Sequence, residues 1–151
     1  HRKPCEAYGI RYQLEDGWLS CRLLSGRKIW YFNPKPISKA MPWDELDVRP
    51  AWQYNAMKMG QWRTIDAFGG LLTENVVMAT QRDLMTTAMF KCEQNNLPIV
   101  LNVHDEIITE PEERYCDQEA LRQIMVDTPD WCRQIQVPVA VGVWDDIRYK
   151  K

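Results

Sequence analysis

Pro98-Ile99-Val100-Leu101-Asn102-Val103, then His104-Asp105-Glu106, then Ile107-Ile108-Thr109-Glu110 is the stretch on which the fold of this chain turns. Its first six residues are short, apolar and rich in β-branched side chains, which suits a strand. The apolar run breaks at three polar residues and then resumes. That spacing predicts a hairpin with the acids at or near its bend. An Asp-Glu pair in a bend is commonly polar only because bends face water. Here, however, the carboxylates stand directly between strongly apolar segments, where a plain hairpin favours Asn-Gly or Asp-Gly. Two adjacent acids repel, and a cation between them offsets the repulsion. Hard oxygen ligands at a strand end suit Mg²⁺ or Mn²⁺.

Downstream, Pro111 fits the first turn of a helix, with Glu112 and Glu113 at its positive end, and the pattern runs to about Val126. Thr128-Pro129-Asp130-Trp131 starts a shorter helix, and Val137-Pro138-Val139-Ala140-Val141-Gly142-Val143 reads as a last strand. Upstream lies the longest helical signal, about 71–94, opened by Gly69-Gly70, with Thr73 as a cap and Asn95-Asn96 as the stop. At about 100° per residue, Val77, Leu84 and Ala88 share one face, and Asn75, Met78, Arg82, Met85 and Met89 the opposite one.

Further upstream, Asp16-Gly17 precedes a strand-like run over 18–24, Ser25-Gly26 is a turn, and Arg27-Lys28-Ile29-Trp30-Tyr31-Phe32 returns. Asn33-Pro34-Lys35-Pro36 ends that strand, because proline cannot continue a ladder, and residues 33–50, with four Pro, read as a surface excursion. Trp52 to Phe68 suggests a second hairpin turning at Met59-Gly60. Hairpins with helices inserted between them imply an α+β fold on an antiparallel sheet, in a single domain over 1–151.

With 151 residues, 45% of them hydrophobic, the chain can bury a core, which excludes disordered and collagen-like classes. No run reaches the roughly 18 apolar residues that a membrane span requires. Five Cys with no C-x-x-C pair read as reduced thiols in a cytosolic protein. Net charge is −2, but residues 1–40 hold eight Lys/Arg against three Asp/Glu, and residues 104–151 hold six against eleven. A phosphate-attracting half beside a cation-holding half is one reading, and two ordinary solvated surfaces is the other. His occurs only at 1 and 104, which excludes His-rich hydrolase sites, and no P-loop or nucleophile-elbow motif is present. Glu110, Asp145 and Asp146 are further acids, as a metal-dependent nuclease would need, but no spacing places them beside Asp105.

Val103-His104-Asp105-Glu106 after an apolar strand resembles motif C of the family A (polymerase I-type) DNA polymerases. Other segments are similar, in order, to the phage and prophage branch of that family. Leu24-Ser25-Gly26-Arg27-Lys28-Ile29-Trp30-Tyr31 matches its L-P-S-G-R-x-L-x-Y segment, with Leu24 in place of Pro. The stretch from Phe68-Gly69-Gly70-Leu71-Leu72-Thr73-Glu74-Asn75 to Arg82-Asp83-Leu84 matches its Y-G-G-K-L-T-E-N…R-D-L helix, with Phe68 for Tyr and Met78 for Gln. The ending, from Trp131 to Tyr149-Lys150, resembles the branch's carboxyl terminus.

The resemblance implies the carboxyl-terminal palm of a DNA-directed DNA polymerase. It casts Asp105 as the ligand of catalytic Mg²⁺ or Mn²⁺, Glu106 as support for that metal site, and His104 as a neighbour of the primer-terminal phosphate. Asn75 would face the primer–template duplex, and Arg27 and Lys28 are candidates for phosphate contact, or else solvated hairpin-end charges. The family's first catalytic carboxylate, in D-x-S-x-I-E, and its fingers helix are not within these residues. The implied partners are therefore primer–template DNA, a deoxynucleoside triphosphate and an upstream polymerase portion, and the isolated chain is expected to be inactive. Palm faces bared of their neighbours would favour self-association. Met78 and the missing motifs also admit a non-catalytic module, derived from a palm, that binds nucleic acid or protein.

Overall fold

The computed structural model describes residues 3–41, 44–133, 139–146 and 148. It is α+β: a six-stranded antiparallel meander, a separate two-stranded hairpin, and helices. The chain divides into two compact units, His1–Thr80 and Gln81–Lys151.

The first unit holds β1 (Cys5–Ala7), β2 (Ile10–Glu15), β3 (Trp18–Arg22), β4 (Lys28–Met41), β5 (Asp44–Lys58) and β6 (Gln61–Ala67), paired in sequence order. Asp16-Gly17 and Met59-Gly60 form two-residue turns with both residues at positive φ, 48° and 83° in one, 52° and 73° in the other. Such turns match the right-handed twist of the strands they join, and glycine takes the second position without a Cβ clash. The β1–β2 pair, joined at Tyr8-Gly9 with φ 52° and 78°, has no counterpart in the sequence reading.

The proline-rich stretch is a correction. Residues 33–50 are mostly strand, not an excursion, because β4 and β5 run on as a long hairpin. β3 stops pairing at Trp18↔Phe32 and β6 stops at Trp52↔Ala67, so beyond those points each long strand has one free side. Pro34 sits in the register shift between Phe32 and Lys35, and Pro36 and Pro50 lie in the stretches with a free side. A missing N–H costs no ladder bond at such places.

Cys21, Leu23 and Tyr31 form the buried centre of this unit, with Ile10, Tyr12, Leu19, Ile29 and Tyr54 packed against them. Leu72, Val76 and Ala79, at helical spacings of four and three, join them from α1 (Gly69–Gln94). Thr73 does not cap α1: the helix already starts at Gly69, and the Thr73 hydroxyl donates back to the Gly69 carbonyl at 2.9 Å.

In the second unit α1 buries Met85, Ala88 and Cys92, so Met85 and Ala88, which the sequence pattern assigns to opposite faces, share one stripe there. Asn96 then takes φ 57°, with bonds from Leu97 N to Cys92 O (3.0 Å) and from Asn96 N to Glu93 O (3.4 Å), and Leu97 is buried. This is a Schellman stop with Asn in the left-handed position. The hairpin of β7 (Ile99–Val103) and β8 (Glu106–Thr109) follows.

The next helix is also corrected. A 3-10 turn over Glu113–Tyr115 comes first, and α2 spans Gln118–Val126. Asp117 wins the start because its carboxylate accepts from Glu119 N at 2.9 Å and Ala120 N at 3.1 Å, a stronger cap than Pro111 supplies. The short α3 covers Asp130–Arg133, where a helix was expected. Residues 139–143 of the expected last strand carry no regular element, and 137–138 lie outside the described residues.

Candidate functional site: an acidic hairpin tip over a cavity

The β7–β8 pairing closes at Val103↔Glu106, which leaves His104 and Asp105 as the two turn residues. His104 takes φ 52°, a conformation few non-glycine residues adopt. His104 and Asp105 are exposed, and Glu106 is half-buried. A short relay braces the tip from behind: Arg82 of α1 donates to Asn102 Oδ1 at 3.1 Å, and Asn102 Nδ2 donates to the Glu106 carbonyl at 3.1 Å. Neither Arg82 nor Asn102 was singled out as a site residue from the sequence. A polar side chain one residue before the end of an apolar strand was the available signal.

Asp105 and Glu106 line a cavity of about 330 Å³. Ile108 on β8 and Leu121 and Met125 on α2 make its apolar side, and Asp145, Asp146 and Arg148 line it from the carboxyl-terminal segment. The fold thus brings Asp145 and Asp146 to the cavity of the Asp-Glu pair, which their spacing did not reveal. His104 is not among the lining residues. Among the described residues no group of three or more His, Cys, Asp or Glu converges closely enough to hold a metal ion. This unit therefore offers a pair of adjacent carboxylates.

The other singled-out residues belong to the first unit. Asn75 Nδ2 donates to the Tyr31 hydroxyl at 3.2 Å. Arg27 Nη2 donates to the Ala79 carbonyl at 2.9 Å. Lys28 Nζ is held by both oxygens of Glu15, at 2.9 and 2.7 Å, and lies 5.1 Å from the Trp30 ring centre. Hydrogen bonds from Lys28 and then Ser20 hold the Glu15 carboxyl below its ordinary range. Each of the three thus already has an internal partner, with which a DNA contact would compete.

All five cysteines are free thiols, with Cys21, Cys92 and Cys132 buried. Burial raises the pKa of those three. Among the described residues no helix is long and apolar enough to cross a membrane.

An α+β chain with an acidic hairpin tip over a cavity is, by comparison with curated proteins, similar to a DNA polymerase. That relative is the DNA polymerase of Bacillus phage SP02, 28% identical over 152 residues. The match takes in 99% of this chain and 22% of the phage polymerase, so the chain spans about a fifth of its relative's length. No family model matches the chain, and no solved structure does.

Proposed function

We propose that this chain is the carboxyl-terminal palm portion of a family A, polymerase I-type DNA-directed DNA polymerase, carrying the motif C half of its two-metal site. The observation that carries the reading is the Asp105-Glu106 pair at a hairpin tip, facing a cavity, in a chain similar over nearly its whole length to a phage DNA polymerase. The donors fit the cation. Mg²⁺ is commonly held through one or two carboxylates, with waters and substrate phosphates filling the remaining positions. Divalent ions bound there supply charge neutralisation at the attacking 3′ oxygen and the leaving pyrophosphate.

The residues of this chain have separable tasks in that reading. Asp105, exposed on the turn, is the direct Mg²⁺ or Mn²⁺ ligand, and Glu106 supports it from the first position of β8. Asn102 and Arg82 hold the turn in place, so the carboxylates need not reorganise as substrate arrives. His104 meets the primer-terminal phosphate, and Asn75 and Arg27 serve the duplex, whereas Lys28 would reach a phosphate only by leaving Glu15. The upstream polymerase portion supplies the partner carboxylate and the triphosphate clamp, so the chain alone does not extend primers.

The test is complementation. The chain is mixed with the upstream portion of the polymerase, a primed template, deoxynucleotides and Mg²⁺. Extension is expected from the mixture and from neither part alone, and Asp105→Ala abolishes it. Extension by Asp105→Ala equal to the parent would refute the site assignment. Salt-sensitive binding of primed duplex by a mixture that never extends would favour a non-catalytic module.

A further inference from the structure

One face of the six-stranded sheet carries an aromatic ladder that the hairpin-tip site does not use. The registers Trp18↔Phe32 and Ser20↔Trp30 put Trp18, Trp30 and Phe32 on the side opposite the buried Cys21 and Tyr31. Phe32↔Asn55 and Met57↔Trp62 carry the same side across to Trp62. Ring centres lie 6.4 Å apart for Trp18–Trp30, 4.7 Å for Trp18–Phe32 and 5.7 Å for Phe32–Trp62. The rings meet at 87°, 52° and 54°, so none of these pairs lies parallel. Trp18, Trp30, Phe32 and Trp62 are 38, 47, 40 and 62% exposed. Aromatic surface of this extent in one patch marks a place where something binds.

Charge on the same face says what. The registers place Arg11, Arg22 and Lys28 beside the rings, with Glu6 and Glu15 among them. Past the register shift, Lys35 stands opposite Gln53 on the same side as Phe32. Lys28 is neutralised by Glu15. Arg22 and Lys35 are exposed, with no ion-pair partner among the described residues.

We propose that this face binds unpaired DNA, with bases stacking on Trp18, Trp30, Phe32 and Trp62 and phosphates meeting Arg22 and Lys35. Aromatic side chains beside cations are how sequence-independent single-strand sites work, since every base has a π face and every linkage a negative charge. An apolar protein partner would bury the rings but would leave the two cations unanswered. The choice of DNA rests on the polymerase reading above; the stacking surface does not.

The full chain is titrated with a fluorescein-labelled oligo(dT) and with a blunt duplex of the same length, without divalent metal or nucleotides. Saturable binding of the single strand, in preference to the duplex and with quenching of tryptophan fluorescence, is the expected result. Trp62→Leu, at an exposed position, weakens binding about tenfold, whereas Trp62→Phe, which keeps a stacking ring, largely preserves it. An unchanged urea midpoint shows that both variants are folded. Arg22→Gln lowers the slope of log affinity against log salt by about 0.7. Duplex preference, absence of saturable binding, or equal affinity of the Leu and Trp forms overturns the proposal. So does concentration-dependent dimerisation that Trp62→Leu abolishes, which would give the face to a second copy. These measurements do not read Asp105, and primer extension does not require that stacking occur, so either reading can fail while the other stands.

Discussion

Changing Tyr31 to Phe removes one oxygen from the centre of the meander and leaves the packing of the ring on Cys21, Leu23 and Tyr54 in place. Tyr31 is 3% exposed, and its hydroxyl accepts from Asn75 Nδ2 at 3.2 Å. Burial holds the phenol above its ordinary pKa, against the opposing influence of the Asn75 bond, so at neutral pH this is a bond between two uncharged groups. Such bonds contribute about 0.5–1.5 kcal/mol net. Because 3.2 Å is long for N–H···O and Asn75 is only half-buried, the lower part applies, about 0.5–1 kcal/mol. The assay is a double-mutant cycle of Tyr31→Phe and Asn75→Ala in equilibrium urea unfolding, with coupling expected in that range. Coupling below about 0.3 kcal/mol, within the scatter of independent sites, would refute the reasoning. The Tyr31 bond would then hold Asn75 too weakly to compete with a duplex contact. Coupling as expected leaves it one Nδ2 proton to offer a base pair.

Three further outcomes are expected. Asp117→Ala removes the acceptor for two amides at the start of α2 and lowers stability by about 1 kcal/mol in urea unfolding, whereas Asp117→Ser loses much less. Asn96→Gly is neutral or stabilising because the position is left-handed, while Asn96→Val costs more than about 1 kcal/mol, and thermal melts separate the two. Hydrogen bonds from Arg122 and then Gln123 hold the Glu119 carboxyl at about 2, against about 4.3 in an unfolded chain. The stability it contributes is therefore fully present above about pH 4.3 and is lost as pH falls toward about 2. Helical ellipticity followed from pH 5 to 2 tests this, since Glu119→Gln flattens part of that acid loss and an unchanged curve would count against it.

The strands and helices legible in the sequence were those whose signal is local. The turns at Asp16-Gly17 and Met59-Gly60, the stop at Asn95-Asn96 and the acid-tipped hairpin all follow from residues adjacent in the chain. What escaped depends on partners. Pro34, Pro36 and Pro50 read as strand breakers, but they are tolerated because β3 and β6 end before reaching them. Pro111 read as a helix start because the competing cap at Asp117 lies six residues on. At the candidate site the Asp-Glu pair could be read directly. The Arg82–Asn102 brace and the arrival of Asp145 and Asp146 at the cavity are tertiary facts that no spacing encodes. The aromatic ladder lay between these extremes: its rings alternate along strands that were foreseen, but Trp62 joins them only through the β5–β6 register.

The claim on which the rest depends is that the Asp105 carboxylate holds a divalent cation. Mn²⁺ binding, counted by electron paramagnetic resonance in the chain joined with its upstream polymerase portion and primed DNA, tests it most directly. Loss or at least about tenfold weakening of one Mn²⁺ site in Asp105→Asn is the expected result, since removing a charged ligand costs more than about 1.4 kcal/mol. Identical Mn²⁺ stoichiometry and affinity in parent and variant would contradict it.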